Sequence, residues 1–196
     1  AKTQAAAALE AADLNLGVLP WLRERHPDAQ QLRLINERLD SQPMPVIGVL
    51  VLDDGDDRQR LAATLASLGT QRCLYPHLEV SVLGNQSLAD PQVRHVPCAR
   101  ERQAEAINTA LQHSRCDWFL IVEAGVEFTA SGLLIAALEL VGAEAGCLAY
   151  MADEAMRATN GSTDIALRPD FNLDLLLSFP ASLSRHWLYQ RQALLQ

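Results

Sequence analysis

Apolar residues occur in short runs that are separated by longer segments of mixed polarity. The runs have the length of buried β-strands and lie at 46–52, 78–83, 118–122 and 147–150, with a shorter run at 93–97 that predicts an edge strand. Segments of helical length lie between them, at 58–68, 101–113 and 131–141. Because strands that alternate with helices and short loops form mostly parallel sheets, we predict an α/β fold with helices on both faces of such a sheet.

The first 40 residues differ in composition from the rest of the chain. Residues 3–40 are rich in Ala, Leu, Glu, Arg and Gln, with Pro20 and Pro27 as interruptions, which predicts two or three short helices. The proline-containing segment 41–45 is typical of a linker. We therefore divide the chain into an N-terminal helical segment, 1–42, and an α/β domain, 43–196.

Composition and charge exclude several classes of protein. The 196 residues carry a formal net charge of −8, which disfavours binding to a phosphate backbone, so nucleic acid is not an expected partner. No apolar stretch reaches the roughly 18 residues of a transmembrane segment, and we predict a cytoplasmic protein. The four cysteines lack CxxC spacing, which favours buried free thiols in a reducing compartment. The chain begins without Met, so we expect a piece of a longer protein.

Aspartates dominate the loop that follows the first predicted strand. Asp53, Asp54, Asp56 and Asp57 are four of its five residues. One interpretation is a solvated turn that caps the next helix. The other is a binding site for a base or ribose, since carboxylates at the end of a strand accept hydrogen bonds from ring N–H and hydroxyl groups. The phosphate-binding patterns GxGxxG and GxxxxGK[ST] are absent from the sequence.

Two further positions are candidates for a site. Arg102, near the start of a predicted helix, is suited to contact a diphosphate, although a solvated arginine would look the same. Glu123 and Glu127 follow the strand at 118–122 and are oxygen ligands of the kind that Mg²⁺ or Mn²⁺ prefers, or else an acidic start to the next helix. The five histidines cluster with neither Cys nor Asp in a ligand spacing, which argues against a histidine-based site.

Four short segments of the chain match motifs in a recognisable order. Thr64 to Gln71, TLASLGTQ, is similar to TLxSLxxQ, and Arg102 to Asn108 follows on a predicted helix. The segment YMADE at 150–154 is similar to YxDED, and RPDFNLDLLLS at 168–178 is similar to KPDWSPDLLLS. This order resembles that of family 2 glycosyltransferases of GT-A fold, in particular the bacterial polysaccharide and O-antigen enzymes of the rhamnosyltransferase-like subgroup. In that family, the helix that Arg102 to Asn108 resembles carries an arginine that contacts the donor diphosphate.

The resemblance implies a Rossmann-like GT-A sheet in which 43–196 is the donor-binding half, with the acceptor half and the catalytic base expected after Gln196. The implied partners are a nucleotide-sugar donor and a glycan acceptor, and the implied reaction is sugar transfer to a growing glycan. The implied nucleotide-sugar-binding residues are Asp53, Asp54, Asp56, Asn85 and Arg102. The implied metal ligand is Glu123, with Mn²⁺ or Mg²⁺ as the cofactor.

Two departures from the family pattern support an alternative function. Gly84-Asn85-Gln86-Ser87 stands where the family has Asp-Asp-Gly-Ser, and Glu123-Ala124-Gly125 stands where it has DxD. The first departure removes the carboxylate that would contact the donor base, and the second removes the second carboxylate of the metal-binding motif. Because a fold survives changes that abolish chemistry, a catalytically inactive glycosyltransferase-like binding or assembly module is the alternative. The sequence assigns no catalytic base and no oligomeric state.

Overall fold

The computed structural model describes residues 18, 20–22, 24–55, 57–86, 88, 90–144, 146–157, 163–169, 171–180 and 185–196. The helices are α1 (Ala29–Asp40), α2 (Arg58–Leu74), α3 (Gln103–His113), α4 (Gly132–Gly142), α5 (Leu173–Ser178) and α6 (Arg191–Leu194). The strands are β1 (Ile47–Leu52), β2 (Leu78–Leu83), β3 (Val93–Val96), β4 (Trp118–Glu123), β5 (Ala149–Tyr150), β6 (Glu154–Arg157), β7 (Thr163–Ala166) and β8 (Leu188–Gln190). A 3₁₀ turn, Arg100–Arg102, precedes α3.

Six of the described strands form one sheet in the order β3-β2-β1-β4-β8-β5. The pairs β1–β2, β1–β4 and β2–β3 are parallel, and β8 runs antiparallel to both β4 and β5. The predicted α/β fold with a mostly parallel sheet is therefore confirmed, including the edge position of the strand at 93–96. The insertion of β8 between β4 and β5 was not predicted.

Each face of the sheet is covered by helices. Alternate residues of β1 face opposite sides, as the two-residue period of a strand requires. Ile47, Val49 and Val51 are buried in a large cluster that includes leucines of α2 and α4, whereas Leu50 is buried in a second cluster with residues of α3. Both clusters pack on the central strands, so the ends of these strands are held rigidly.

The N-terminal region contains the predicted helical structure in its described part. Asp28 caps α1 through a capping box in which its side chain accepts a hydrogen bond from the amide of Gln31. Leu39 of α1 is fully buried in the larger cluster of the sheet. The domain boundary at residue 42 stays a prediction.

Several sequence-based expectations differ from the structure. The helix predicted at 58–68 continues to Leu74, because its polar residues make buried contacts that composition does not reveal. All four cysteines are free, as expected, but Cys116 alone is fully buried and Cys73 is exposed. Of the helices in the described part of the chain, each is too short or too polar to cross a bilayer.

Candidate functional site at the carboxyl edge of the sheet

The polar loops that follow β1, β2 and β4 meet at one edge of the sheet. Leu52, the last residue of β1, pairs with Leu83 on one side and with Glu123 on the other. The amide of Asp53 donates to Leu83 O at 2.9 Å, and the amide of Ala124 donates to Leu52 O at 2.9 Å. The ends of these three strands therefore lie side by side.

The strand order reverses at this edge. The chain passes from β1 outward to β2 and β3, and then returns to place β4 on the opposite side of β1. Such a reversal is the topological switch point at which open α/β sheets bind their ligands, in the crevice outside the carboxyl ends of the strands. In this sheet the switch point lies between β1 and β4, and the loops that follow these two strands flank it.

Asp53 is turned into the protein at the end of β1. Its residue is only 4% exposed, and its Oδ1 accepts a hydrogen bond from the amide of Gly55 at 3.0 Å. Its Oδ2 is buried and has no hydrogen-bond partner among the described residues. Gly84 lies against it, because a Cβ at position 84 would come within 2.8 Å of Asp53 Cβ. Asp53 thus presents an unsatisfied acceptor between the first two strands.

The other aspartates of this loop have separate roles. Asp57 caps α2 by accepting hydrogen bonds from the amides of Gln59 and Arg60, which confirms the capping interpretation for this residue. Asp54 is exposed; its Oδ1 accepts a hydrogen bond from Gln103 Nε2 at 3.2 Å. Asp56 lies outside the described residues.

Two arginines of the 3₁₀ turn before α3 make different contacts. Arg100 Nη2 lies 3.5 Å from Asp54 Oδ2, so this arginine reaches the loop after β1. Arg102 instead pairs with Glu105, three residues along the chain, at 2.9 Å. Arg102 as a diphosphate contact stays a prediction, as does Asn85, which is exposed in the loop after β2.

Three polar side chains on one face of α2 hold the loop that follows β4. We call them the polar ladder: Thr64, Ser67 and Gln71. Thr64 Oγ1 accepts a hydrogen bond from the amide of Gly125 at 2.8 Å, and Ser67 Oγ accepts one from the amide of Phe128 at 3.1 Å. The spacing of three and four residues places all three side chains on one side of the helix.

Gln71 makes the last two contacts of the polar ladder. Its Nε2 donates to Thr129 O at 2.6 Å, and its Oε1 accepts from the amide of Leu133 at 3.0 Å. Ser131, at the N-cap position of α4, makes no side-chain cap, so the buried Gln71 serves one of the free amides of that helix. The polar positions of the TLxSLxxQ-like motif therefore fix the backbone from Gly125 to the start of α4.

A second set of contacts, made by charged groups, reaches Glu123 from the C-terminal part of the chain. Arg185 Nη2 donates to Glu123 Oε1 at 3.3 Å, and His186 Nε2 lies 3.1 Å from Glu123 Oε2. His186 Nδ1 lies 2.9 Å from Glu154 Oε1 on its other side. The imidazole of His186 therefore lies between two glutamates, with one ring nitrogen against each carboxylate.

Arg168 completes this set, which we call the charged chain: Arg168, Glu154, His186, Glu123 and Arg185. The Arg168 side chain is 6% exposed, and its Nη2 donates to Glu154 Oε1 at 2.6 Å. The Arg168 amide donates to Asp153 Oδ1 at 2.7 Å. The YMADE segment and the RPDFNLDLLLS segment, which the sequence analysis treated separately, therefore contact one another.

The contacts of Glu123 affect both its pKa and its capacity to bind a metal. Burial raises the pKa of Glu123, but hydrogen bonds from His186, its own backbone amide and Arg185 outweigh this effect and lower the pKa overall. Both carboxylate oxygens already accept from these two side chains. Among the described residues, no group of three His, Cys, Asp or Glu is arranged to hold a metal ion. The residues present do not fit a resident Mn²⁺ or Mg²⁺, and Glu123 as a metal ligand stays a prediction.

Sequence analysis missed His186 and Arg185 as residues of this edge. It discounted the histidines because they lack neighbouring Cys or Asp, whereas His186 contacts two glutamates that lie 63 and 32 positions away. His186 also adopts a φ of 54°, in the left-handed region that non-glycine residues rarely enter and that occurs preferentially at functional sites. No local pattern in the sequence indicates either property.

Comparisons with known proteins leave the family open. No protein-family model matches the chain, and no curated protein matches it. Among solved structures, similarity extends to a mannosyltransferase from Pyrobaculum calidifontis in complex with GDP-Man and Mn²⁺, with 20% sequence identity and a TM-score of 0.43. The matched region covers 74% of this chain and 45% of that one, so the chain spans less than half the length of that enzyme.

Proposed function

We propose that the chain is the donor-binding part of a glycosyltransferase-like protein, which takes a sugar from a nucleotide-sugar donor and transfers it to a growing glycan. The observation that carries the proposal is the meeting of three polar loops at the switch point of the sheet, with Leu52, Leu83 and Glu123 in register. A crevice at this position is where α/β sheets bind nucleotides. The motif order from Thr64 to Ser178 supports the GT-A family as the source of this arrangement.

The nucleoside would bind at the β1–β2 side of the crevice. Asp53 holds a buried oxygen without a donor among the described residues, and buried acceptors of this kind normally have a partner. Asp54 and Asn85 are exposed beside it. Carboxylate and amide oxygens are suited to accept hydrogen bonds from a base N–H or from ribose hydroxyl groups.

The diphosphate would bind along the side of the crevice that carries arginines. Arg102 is the residue that the motif resemblance assigns to this contact, and Arg100, two residues earlier, is the arginine that reaches the loop after β1. A guanidinium presents several N–H donors to phosphate oxygens in a fixed geometry. The glycan acceptor and a cytoplasmic location stay predictions.

A binding or assembly module without catalysis is the second candidate. Gly84-Asn85 replaces an acidic pair at the end of β2, and the oxygens of Glu123 are already occupied by Arg185 and His186. Neither change prevents a nucleotide from binding, but together they remove carboxylates that a metal-dependent transfer would use. Binding and transfer must therefore be measured separately.

Isothermal titration calorimetry with UDP, GDP, CDP and dTDP tests the proposal. We expect one of the four to bind, and we expect Arg102→Ala to weaken its binding by about tenfold, because a charge-assisted hydrogen bond is worth roughly 1.5–3 kcal/mol. Arg33→Ala is the matched control, since Arg33 is also an exposed helix arginine that pairs with a nearby glutamate, at 3.2 Å. Absence of binding by all four nucleotides would refute the proposed function, and an unchanged affinity in the Arg102 variant would remove that residue from the site.

A further inference from the structure

An arginine and a histidine contact Glu123 at the end of β4, where the motif resemblance implies a metal. A divalent cation at Glu123 would need carboxylate oxygens that are free to coordinate it. Glu123 Oε1 already accepts from Arg185, and Oε2 lies in hydrogen-bond contact with His186. The groups around Glu123 are therefore donors rather than additional ligands.

The charged chain fixes the position of His186. Arg168 is buried and holds Glu154 Oε1, and the same oxygen contacts His186 Nδ1 at 2.9 Å. A carboxylate that binds one ring nitrogen sets the orientation of the whole imidazole and directs the other nitrogen, in this case toward Glu123. His186 is thus held by a partly buried ion pair on one side and lies against Glu123 at the end of β4 on the other.

The guanidinium of Arg185 has N–H donors that its contact with Glu123 does not use. Its side chain is 57% exposed, and its contact with Glu123 is made through Nη2. A guanidinium has five N–H donors, so this contact leaves others that can reach a second anion. Arg60 brings another guanidinium to the same loop, because a Cβ on Gly125 would come within 2.9 Å of Arg60 Nη2.

From this arrangement we infer that Arg185, positioned with His186 on Glu123, binds the diphosphate of the nucleotide in place of a resident divalent cation. The inference rests on the proposed function, since it adds Arg185 to Arg102 as a second contact of the same diphosphate. Arg185, with Arg60 beside the same loop, brings positive charge to the end of β4, and nucleotide binding does not require a metal. Arg185 contacts the phosphate oxygens, whereas His186 acts as a positioning residue.

Calorimetry with the nucleoside diphosphate that binds, in EDTA and then in Mn²⁺, tests this inference. We expect affinities within about twofold of each other under the two conditions. Arg185→Gln should weaken binding by about tenfold or more, in keeping with the loss of a charge-assisted hydrogen bond. Titration with Mn²⁺ alone should give no micromolar binding to the free chain, because the Glu123 oxygens are already engaged.

Arg157→Gln is the matched control. Arg157 also pairs with a glutamate, Glu127, at 3.4 Å, and the exposures of the two pairs are similar, 66% and 49% against 57% and 50% for Arg185 and Glu123. We expect the control to bind the nucleotide like the unmodified chain. His186→Gln should weaken nucleotide binding less than Arg185→Gln, and circular dichroism of all three variants separates loss of binding from loss of fold.

The outcomes distinguish this inference from the function on which it rests. Absence of any nucleotide binding refutes the proposed function, and the inference with it. Binding that appears only with Mn²⁺ leaves the proposed function intact and overturns the inference. Equal affinities of the folded Arg185 and Arg157 variants would also overturn it, because Arg185 would then make no contact with the phosphates.

Discussion

The end of β4 is held from two sides by contacts of different character. On one side, the polar ladder of α2 binds the backbone from Gly125 to Leu133 through neutral hydrogen bonds. On the other side, the charged chain binds the carboxylate of Glu123 through Arg185 and His186. Thr64 and Gln71 are fully buried, whereas half of the Glu123 side chain is exposed.

The two sets of contacts therefore differ in how much they contribute to stability. Buried hydrogen bonds to backbone groups are expensive to break, because the abandoned partner stays out of water. Exposed ion pairs contribute little to the free energy of folding and are screened by salt. We therefore expect the polar ladder to determine where the loop lies, and the charged chain to determine which ligands the edge attracts.

Gln71→Leu should produce the largest loss of stability. The substitution keeps the approximate size of the side chain but leaves the amide of Leu133 unpaired and removes one of the two donors to Thr129 O, which keeps the Gly132 amide at 3.0 Å. Leaving the buried Leu133 amide unsatisfied costs about 1–3 kcal/mol, and the lost hydrogen bond to Thr129 O about 0.5–1.5 kcal/mol, so the free energy of unfolding should fall by about 2–4 kcal/mol in urea denaturation.

The same replacement at an exposed position of the helix provides the control. Gln59 lies in the first turn of α2 and is exposed, so Gln59→Leu should change the free energy of unfolding by less than about 0.5 kcal/mol. Equal effects of the two variants would show that the Gln71 contacts do not stabilise the fold, and the contrast between the two sides of β4 would be lost.

Thr64→Val should have the next largest effect. Valine matches the shape of threonine but removes the acceptor of the Gly125 amide. We expect a loss of about 1–3 kcal/mol in the free energy of unfolding and faster hydrogen exchange at the Gly125 amide. Thr70→Val is the control on the same helix, since Thr70 is exposed and its hydroxyl contacts only Ala66 O among the described residues. Unchanged exchange at Gly125 would contradict the prediction.

Sequence patterns predicted the sheet well because its central strands are continuous apolar runs. The run at 46–52 is buried on both faces, and a strand of this kind is recognisable from composition alone. β8 escaped prediction because its three residues, Leu188–Gln190, form no apolar run and are held by pairing with β4. β6 and β7, which pair antiparallel in a separate two-stranded sheet, escaped for a similar reason, since β6 is largely exposed.

The polar ladder and the charged chain also differ in how far the sequence predicts them. The polar ladder lies within eight residues of one helix, so its spacing survives as the motif from Thr64 to Gln71. The charged chain joins β4, β6, the Arg168 segment and the turn before β8, which are distant in sequence. Contacts between distant segments leave no periodic signal, and only the folded chain brings them together.

Arg185→Gln should have a small effect on stability, in contrast to its expected effect on ligand binding. The pair with Glu123 is more than half exposed on the arginine side, and such pairs contribute about 0.2–1 kcal/mol. Urea denaturation at low salt and at 1 M salt should show that the difference in unfolding free energy between the unmodified chain and Arg185→Gln shrinks as the salt concentration rises. A loss above about 2 kcal/mol in the free energy of unfolding would mean that the charged chain, like the polar ladder, stabilises the fold.

The smallest expected effect concerns the titration of Glu123. Burial raises its pKa, but the hydrogen bonds from His186, its own amide and Arg185 lower the pKa below the usual value for a glutamate. A depressed pKa in the folded state contributes stability above the pKa of the unfolded chain, and this contribution is lost as the pH falls through the folded pKa. The stability difference between the unmodified chain and Glu123→Gln should therefore shrink on acidification.

NMR titration of the Glu123 carboxyl carbon should give a low midpoint that His186→Gln raises and Arg157→Gln leaves unchanged. A midpoint at or above that of a glutamate in a short peptide would mean that burial outweighs the hydrogen bonds, and that His186 and Arg185 do not hold this carboxylate in solution.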